Sequence, residues 1–439
     1  MITLSPSQQD VVDSFPLFLM NDEKEMIISG FAGSGKSFLV KYLADMGEKQ
    51  QKLVKILDPN IPRRKLFFTA TTNKAAAVLK DMIHRPVCTI HSLLGLKVVN
   101  NYKTGKQQLS QKTRVADLRH SIVFIDESSM INEELLMMIR KAVSRFFDCK
   151  VVFIGDEYQL PPVMEDICPV FKSKNNVFFL KEIQRQVADS PIIQLSAQYR
   201  AVLDDHTKNW PEIPHDGQNI IHHTNKVPFF AEIKKCYLQT HAADDYKVIA
   251  WSNNRVRLYN EWIRKLQGAT LPFHVGETMI SNKPLIDGDD AVLAPTDSMQ
   301  FIKGVTDDTV DGIRGYQIEL YGHIKTFFQP ASWVEANKLS KQYAKDKLWP
   351  NYFEITQNWI DLRPIHASTV HKAQGSTYNT VFIDLNNIGA NTRWREVARL
   401  VYVAITRASN TVHVYGDLCL NYNKKPPVNL LESFNANCL

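Results

Sequence analysis

The chain has 439 residues, a formal net charge of +6, 44% hydrophobic and 22% charged residues. These are values of an ordinary globular protein with room for about two to four domains, and the mild basic surplus permits nucleic-acid binding without requiring it. No run approaches the roughly 20 apolar residues of a membrane span, and the six cysteines (Cys88, Cys149, Cys168, Cys236, Cys419, Cys438) form no C-x-x-C pair, which argues against a structural zinc site. The first ten residues lack a basic stretch followed by an apolar run, so a soluble cytoplasmic protein is expected.

The first element is a short apolar run at residues 26–29, ending at Gly30. Gly30-Phe31-Ala32-Gly33-Ser34-Gly35-Lys36-Ser37 follows and opens a helical segment. This fits G-x-x-x-x-G-K-[ST] in the strand-to-helix context that a phosphate-binding loop requires. Its glycines let backbone N–H groups wrap a phosphate, Lys36 can reach the β- and γ-phosphates, and Ser37 can hold Mg²⁺. A second apolar run, 66–70, precedes a helix at 74–83. Residues 96–115 interrupt the pattern, and a β-hairpin or a polar loop fits them equally well.

The run 122–125 ends in Asp126 and Glu127. At a strand's carboxyl end, Asp126 can hold Mg²⁺ and Glu127 can deprotonate an attacking water. A helix is predicted at 133–143 and a strand at 151–154, followed by Gly155-Asp156-Glu157-Tyr158-Gln159-Leu160-Pro161-Pro162-Val163, where Gln159 could reach the γ-phosphate or the water. Buried strands alternating with helices mean a parallel α/β sheet. The pattern returns with a strand at 247–251, a helix at 256–266, strands at 381–385 and 411–415 and a helix at 394–406, enough for a second parallel sheet. Residues 287–348, with Gly288, Gly304, Gly312, Gly315 and Gly322 among short β-like runs, read as a small β-rich insertion.

In this order the motifs resemble superfamily 1 DNA helicases of the RecD/Dda-like subgroup. Leu4–Gln8 is similar to the adenine-reading glutamine motif, with Gln8 as the reader and Gln9 next to it. Thr69–Ala76 and Thr89–Leu93 resemble DNA-contacting motifs. Leu180–Gln186 is similar to the segment that supplies an arginine, here Arg185, to the γ-phosphate. Residues 251–264 resemble the start of the second motor domain. Thr369–Thr377 looks like motif V and Val401–Ala408 like motif VI, whose arginine finger would be Arg407.

The resemblance implies an α/β fold with two RecA-like parallel-sheet motor domains, a β-hairpin insertion and a small β-barrel-like insertion. The expected bounds are 1–188 for the first motor domain (hairpin at about 96–115), 189–286 with 356–439 for the second, and 287–355 for the β-rich insertion. It implies one ATP clamped between the motors. Lys36, Asp126, Glu127, Gln159, Arg185 and Arg407 would be catalytic. Gln8, Gly30, Gly33, Ser34, Gly35, Lys36, Ser37, Gln374 and Gly375 would bind nucleotide, and Ser37 and Asp126 would hold Mg²⁺. Thr71, Asn73, His91, Ser92, Asn253, Thr369 and His371 would grip single-stranded DNA, and Trp251 would either stack on bases or pack in a core.

The implied activity is ATP-driven, 5′→3′ movement on single-stranded DNA with unwinding of forks, in replication, recombination or repair. A wedge around residues 102–106 would split the duplex. A monomer in a bacterial or phage-infected cytoplasm, working beside single-strand-binding or replisome proteins, is the expected setting. An ATPase that strips proteins from DNA without unwinding shares every motif. A P-loop kinase would lack motifs V and VI, and a catalytically dead scaffold is disfavoured by intact Lys36, Asp126, Glu127 and Arg407.

Overall fold

The computed structural model describes residues 4–60, 62–101, 104, 106–111, 116–162, 165–173, 175–182, 190–205, 208–239, 245–287 and 291–418. The phosphate-loop strand, Glu25–Gly30, lies in a six-stranded parallel sheet. The strand order across that sheet is Val87–Thr89, Lys65–Ala70, Ser121–Asp126, Cys149–Gly155, Glu25–Gly30, Val177–Leu180. Ser121–Asp126 and Cys149–Gly155 are buried at every position, because helices cover both faces. Alternate residues serve opposite cores. Ile122, Phe124, Val152 and Ile154 pack with Val11, Phe15, Leu39 and Leu43 of the helices Pro6–Met20 and Lys36–Leu57. Val123, Ile125, Val151 and Phe153 pack with Leu135, Ile139 and Val143 of Glu133–Arg145. Continuous apolar runs follow directly from burial on both faces.

The second parallel sheet has five strands in the order Ala367–Thr369, Tyr246–Ala250, Tyr378–Asp384, Ala408–Tyr415, Ile220–His223. On one face, Val381, Ile383, Val412 and Val414 pack against the helices Trp394–Ile405 and Pro191–Asp204. Trp394–Ile405 is caught between sheet and helix, so eight of its residues are buried. On the other face Phe382 and Val248 pack with Phe229, Tyr259 and Ile263. Trp251 lies half-buried against the first of these two cores.

The β-rich insertion is an antiparallel sheet ordered Thr326–Pro330, Ile313–Leu320, Met299–Val310, Thr278–Ser281, Leu362–Pro364. The carboxamide of Gln329, on one edge strand, accepts from the N–H of Leu362 at 2.7 Å and donates to its carbonyl at 3.1 Å on the other, drawing the sheet toward a barrel. The expected bounds 287–355 omit the strands Thr278–Ser281 and Leu362–Pro364. These have only four and three residues, too few for a readable alternation, and join the sheet through long-range pairing. Leu96–Asn101 and Lys106–Gln111 pair antiparallel, so the interruption at 96–115 contains a β-hairpin. The wedge residues Tyr102 and Lys103 and the neighbouring Gly105 fall outside the described residues. Among the described residues no helix is long and apolar enough to cross a membrane.

Candidate nucleotide cleft and strand-end grips

The carboxyl ends of the central strands of the first sheet carry the phosphate loop and the two acidic residues, at the rim where open parallel sheets hold ligands. Gly33 and Gly35 adopt φ of 83° and 81°, a backbone that turns the loop's N–H groups inward. A Cβ on Gly30 would meet Ser34 Oγ at 2.6 Å and Leu180 Cβ at 2.9 Å, so only glycine lets the loop leave its strand here. Lys36 Nζ donates to the carbonyls of Gly30 at 2.7 Å and Phe31 at 3.0 Å, and Ser34 Oγ is buried without a hydrogen-bond partner. The inward N–H groups, the Lys36 ammonium and the unmatched Ser34 hydroxyl together offer the donors that an anion such as phosphate needs. Ser37 is half-buried at the first turn of the following helix.

Gln8 is completely buried. Its Nε2 donates to the Ser34 carbonyl at 3.0 Å, and its Oε1 accepts from the Ser5 N–H at 3.1 Å in a capping box. It therefore ties the first helix to the loop, and a base contact has only its second N–H and second lone pair to use. Gln9 is exposed and bonded to Asp13, which settles which glutamine faces the loop. Ser5 and Ser7 both donate to Glu182, holding the segment that leads toward Arg185. Arg185 itself lies outside the described residues.

Asp126 is buried at the end of its strand and Glu127 beside it is half-buried. Burial raises both carboxyl pKa values. For Glu127 the value reaches about 7, with the Asp126 charge adding to burial and Lys36 and Arg407 opposing it. Glu127 holds φ of 52°, and its Oε2 is buried without a partner. Asp126 accepts the Glu127 N–H at 2.9 Å. The carboxylate of Asp126 and the hydroxyl of Ser37 are both oxygen donors of the kind that suits a hard divalent cation.

The second sheet completes the cleft. Gln374 Nε2 donates to Gln159 Oε1 at 3.0 Å and to Ser129 Oγ at 3.3 Å. Gly375, at φ of 74°, stands so that a Cβ would lie 3.9 Å from Glu127 Oε1. Tyr402 donates its hydroxyl to Asp156 Oδ2 at 2.6 Å and accepts the Ala32 N–H of the phosphate loop at 3.3 Å. Arg407 is 6% exposed and rests on its own unit, donating to the carbonyls of Val403 and Ser376 and to Thr406 Oγ1, each at 3.1 Å. Its charge is felt at Glu127. Thus Lys36, Asp126, Glu127, Gln159, Gln374, Gly375 and Arg407 share one cleft. Tyr402, Asp156 and Ser129 join them. Tyr402 lies within the motif that carries Arg407, but nothing in its local pattern marks it as a bridge.

The proposed grips form a near-symmetric pair. Val87–Thr89 and Ala367–Thr369 are edge strands of their sheets, and each ends in a threonine that caps a short helix. Thr89 Oγ1 accepts from Ser92 N–H at 3.2 Å, and Thr369 Oγ1 from Lys372 N–H at 3.3 Å. Two residues beyond each cap stands a half-buried histidine, His91 or His371, whose pKa burial lowers, favouring the neutral ring. Thr369 Oγ1 accepts in this cap, which leaves its own O–H as a donor. Asn73, Ser92 and Asn253 are exposed at helix starts, while Thr71 Oγ1 donates to the Glu127 carbonyl at 3.3 Å, linking a grip to the carboxylate turn. Lys372 binds Asn282 and, at 3.1 Å, Asp297, joining this motif to the antiparallel sheet.

A family model described as an AAA domain matches residues 18–165, and one described as a UvrD-like helicase C-terminal domain matches residues 364–415. The chain is 23% identical over 455 residues to the ATP-dependent DNA helicase dda of Enterobacteria phage T4, covering 92% of this chain and 97% of that protein. It is 23% identical over 441 residues to the ATP-dependent DNA helicase Pif1 of Bdellovibrio bacteriovorus, covering 94% and 88% respectively. A crystal structure of the Pif1 helicase from Candida albicans aligns over all of both chains at 18% identity with a TM-score of 0.42. Over most of its length the chain is thus similar to superfamily 1 helicases in the group of the RecD, Dda and Pif1 proteins.

Proposed function

We infer that the protein is an ATP-dependent DNA helicase, in which hydrolysis between the two parallel-sheet units drives movement along single-stranded DNA. The observation that carries the reading is the hydrogen-bonded junction across the cleft. Gln374 meets Gln159, and Tyr402 meets both Asp156 and Ala32, so groups of the second unit touch the phosphate loop and the turn beside the carboxylates. On the domain bounds, we read 1–188 as one motor and 189–286 with 356–439 as the other, except that the strands Thr278–Ser281 and Leu362–Pro364 within those ranges go to the insertion.

Lys36 and the loop N–H groups would bind the triphosphate. Lys36 exchanges its present carbonyl partners for phosphate oxygens. Ser37 and Asp126 would hold a Mg²⁺ ion, which supplies positive charge to the phosphate oxygens. Glu127, once ionised, takes a proton from the attacking water. Arg407 leaves its carbonyl contacts to meet charge developing on the γ-phosphate, a contribution typically worth about 10³–10⁵ in rate. Because it comes from the other unit, hydrolysis depends on closure, and reopening changes the spacing between grips.

His91, Ser92 and Asn73 on one sheet and His371 and Asn253 on the other would hold the strand through neutral polar contacts to phosphate and sugar, which position without reading sequence. Thr71 and Thr369 support these turns. The hairpin is proposed as the strand-separating element, 5′→3′ as the polarity, forked DNA as the substrate, and replication, recombination or repair in the cytoplasm as the setting, with the protein acting as a monomer beside single-strand-binding or replisome proteins. The deciding experiment compares ATPase with and without single-stranded DNA, then unwinding of duplexes with a 5′ or a 3′ tail. Stimulated hydrolysis with unwinding from 5′ tails is expected. Hydrolysis without strand separation on either tail would instead leave a protein-stripping translocase.

A further inference from the structure

We propose that Arg200 and Asp204, on one face of the helix Pro191–Asp204, latch onto the aromatic pair Phe31 and Tyr158, and that this latch holds the two units closed for hydrolysis. It rests on the reading of the cleft as an ATP site.

The guanidinium carbon of Arg200 lies 3.4 Å from the centre of the Phe31 ring, and the residue is 9% exposed. The same group is 5.8 Å from the Tyr402 ring. One helical turn on, Asp204 Oδ1 accepts the Tyr158 hydroxyl at 2.6 Å. The rings of Phe31 and Tyr158 are themselves 5.7 Å apart at a tilt of 57°. A cation and a carboxylate four residues apart on one helix therefore engage two neighbouring rings of the first unit. Phe31 is the second residue of the phosphate loop, and Tyr158 directly precedes Gln159.

The helix that bears the latch is anchored in the second unit. Ile192, Leu195, Tyr199 and Val202 share a core with Val397, Leu400 and Val401 of Trp394–Ile405, the helix that carries Tyr402 and ends two residues before Arg407. The contact with Phe31 is thus mechanically joined to the candidate arginine finger. Phe31 is also coupled to the phosphate site, since its carbonyl accepts from Lys36 Nζ at 3.0 Å. When Lys36 turns to a phosphate, the Phe31 peptide loses that bond and its ring shifts beneath Arg200. A planar guanidinium stacked on a ring tolerates sliding but not separation, so the latch follows loop motion while resisting opening. Arg200 is a positioning residue in this scheme: it acts through the loop and the motif VI helix.

The test is steady-state ATPase of the full chain with saturating single-stranded DNA, for wild type, Arg200→Ala, Phe31→Leu and the double variant, with melting temperatures measured in parallel. Each single change is expected to lower kcat about tenfold, between the worth of an exposed and of a fully desolvated cation–ring contact, while KM for ATP moves by less than about threefold. The double variant should be no slower than the worse single one, because one contact is lost either way. Arg200→Lys should recover part of the rate. Should Arg200→Ala fail to fold, Tyr158→Phe removes only the hydroxyl held by Asp204 and is expected to lower kcat about threefold. Unchanged kcat in the folded variants, or losses that multiply in the double variant, would overturn the latch. A wild-type chain that hydrolyses no ATP would sink the ATP-site reading instead.

Discussion

The hydroxyl of Tyr402 donates to Oδ2 of Asp156 across the cleft at 2.6 Å while accepting the Ala32 N–H. Tyr402 is fully buried and desolvation holds its pKa well above the ordinary value, so it stays a donor at any working pH. Tyr402→Phe keeps the ring and strips both bonds. Asp156 keeps the Tyr158 N–H and a 3.5 Å contact from Gln159 but loses its short bond, and the half-buried Ala32 N–H loses its acceptor, at a cost of about 1–3 kcal/mol. Because both bonds exist only when the units meet, that cost falls on the closed state. DNA-stimulated ATPase should drop by about five- to 150-fold, with little change in the melting temperature, measured on the same preparation.

Gln374 bridges Gln159 and Ser129 from the opposite unit. Gln374→Ala should weaken the link between strand binding and hydrolysis. The expected result is a low ATPase rate that rises only slightly when single-stranded DNA is added, with DNA affinity retained in an anisotropy titration. Full stimulation by DNA would remove Gln374 from the coupling path.

Glu127 gives the activity a pH dependence. Its carboxyl is raised from 4.5 to about 7 by burial and by Asp126, and only its ionised form can accept a proton from water. The rate should therefore climb as pH rises through about 7 and flatten above it. The stability linkage has the opposite sign. A carboxyl with a raised folded-state pKa contributes stability that is complete below 4.5 and lost as pH rises through about 7. Glu127→Gln should lose hydrolysis by roughly 10²–10⁴, the usual worth of a general base, while still binding nucleotide. A pH profile of kcat from 5.5 to 9 checks the first point, and a fluorescent-nucleotide titration the second.

Lys36 rests on carbonyls that it must leave for phosphate. Lys36→Ala should abolish both ATPase and unwinding. Turnover at the wild-type rate by this variant would contradict the assignment of the loop.

The hairpin of Leu96–Asn101 and Lys106–Gln111 follows the turn that carries His91. Replacing residues 100–107 with a short turn should spare DNA-stimulated ATPase and suppress unwinding of a forked duplex. Equal unwinding by the shortened protein would move strand separation elsewhere.

Much of the first unit is legible locally. Gly30–Ser37 and Asp126–Glu127 each place their chemistry within eight residues, and strands buried on both faces write their apolar runs plainly. The three- and four-residue strands Val87–Thr89, Val177–Leu180, Ile220–His223 and Ala367–Thr369 are a different case. They are held by partners far along the chain and show no periodicity of their own. The glutamine motif at Leu4–Gln8 is visible as a resemblance, but the capping box at Ser5 and the use of Gln8 to brace the loop appear only in the fold.

By itself, the order of residues determined the chemistry available: a lysine and glycines on a phosphate-binding turn, carboxylates at a strand end, and arginines and glutamines held in reserve downstream. The folded chain decided which of these meet. Gln374 finds Gln159 across 215 positions and Tyr402 finds Asp156 across 246. Arg200 lies over Phe31 only because its helix packs against Trp394–Ile405. Local spacing governs what a turn can bind. Contacts between separately formed sheets depend on how their buried faces stack, and no short stretch of sequence carries that information.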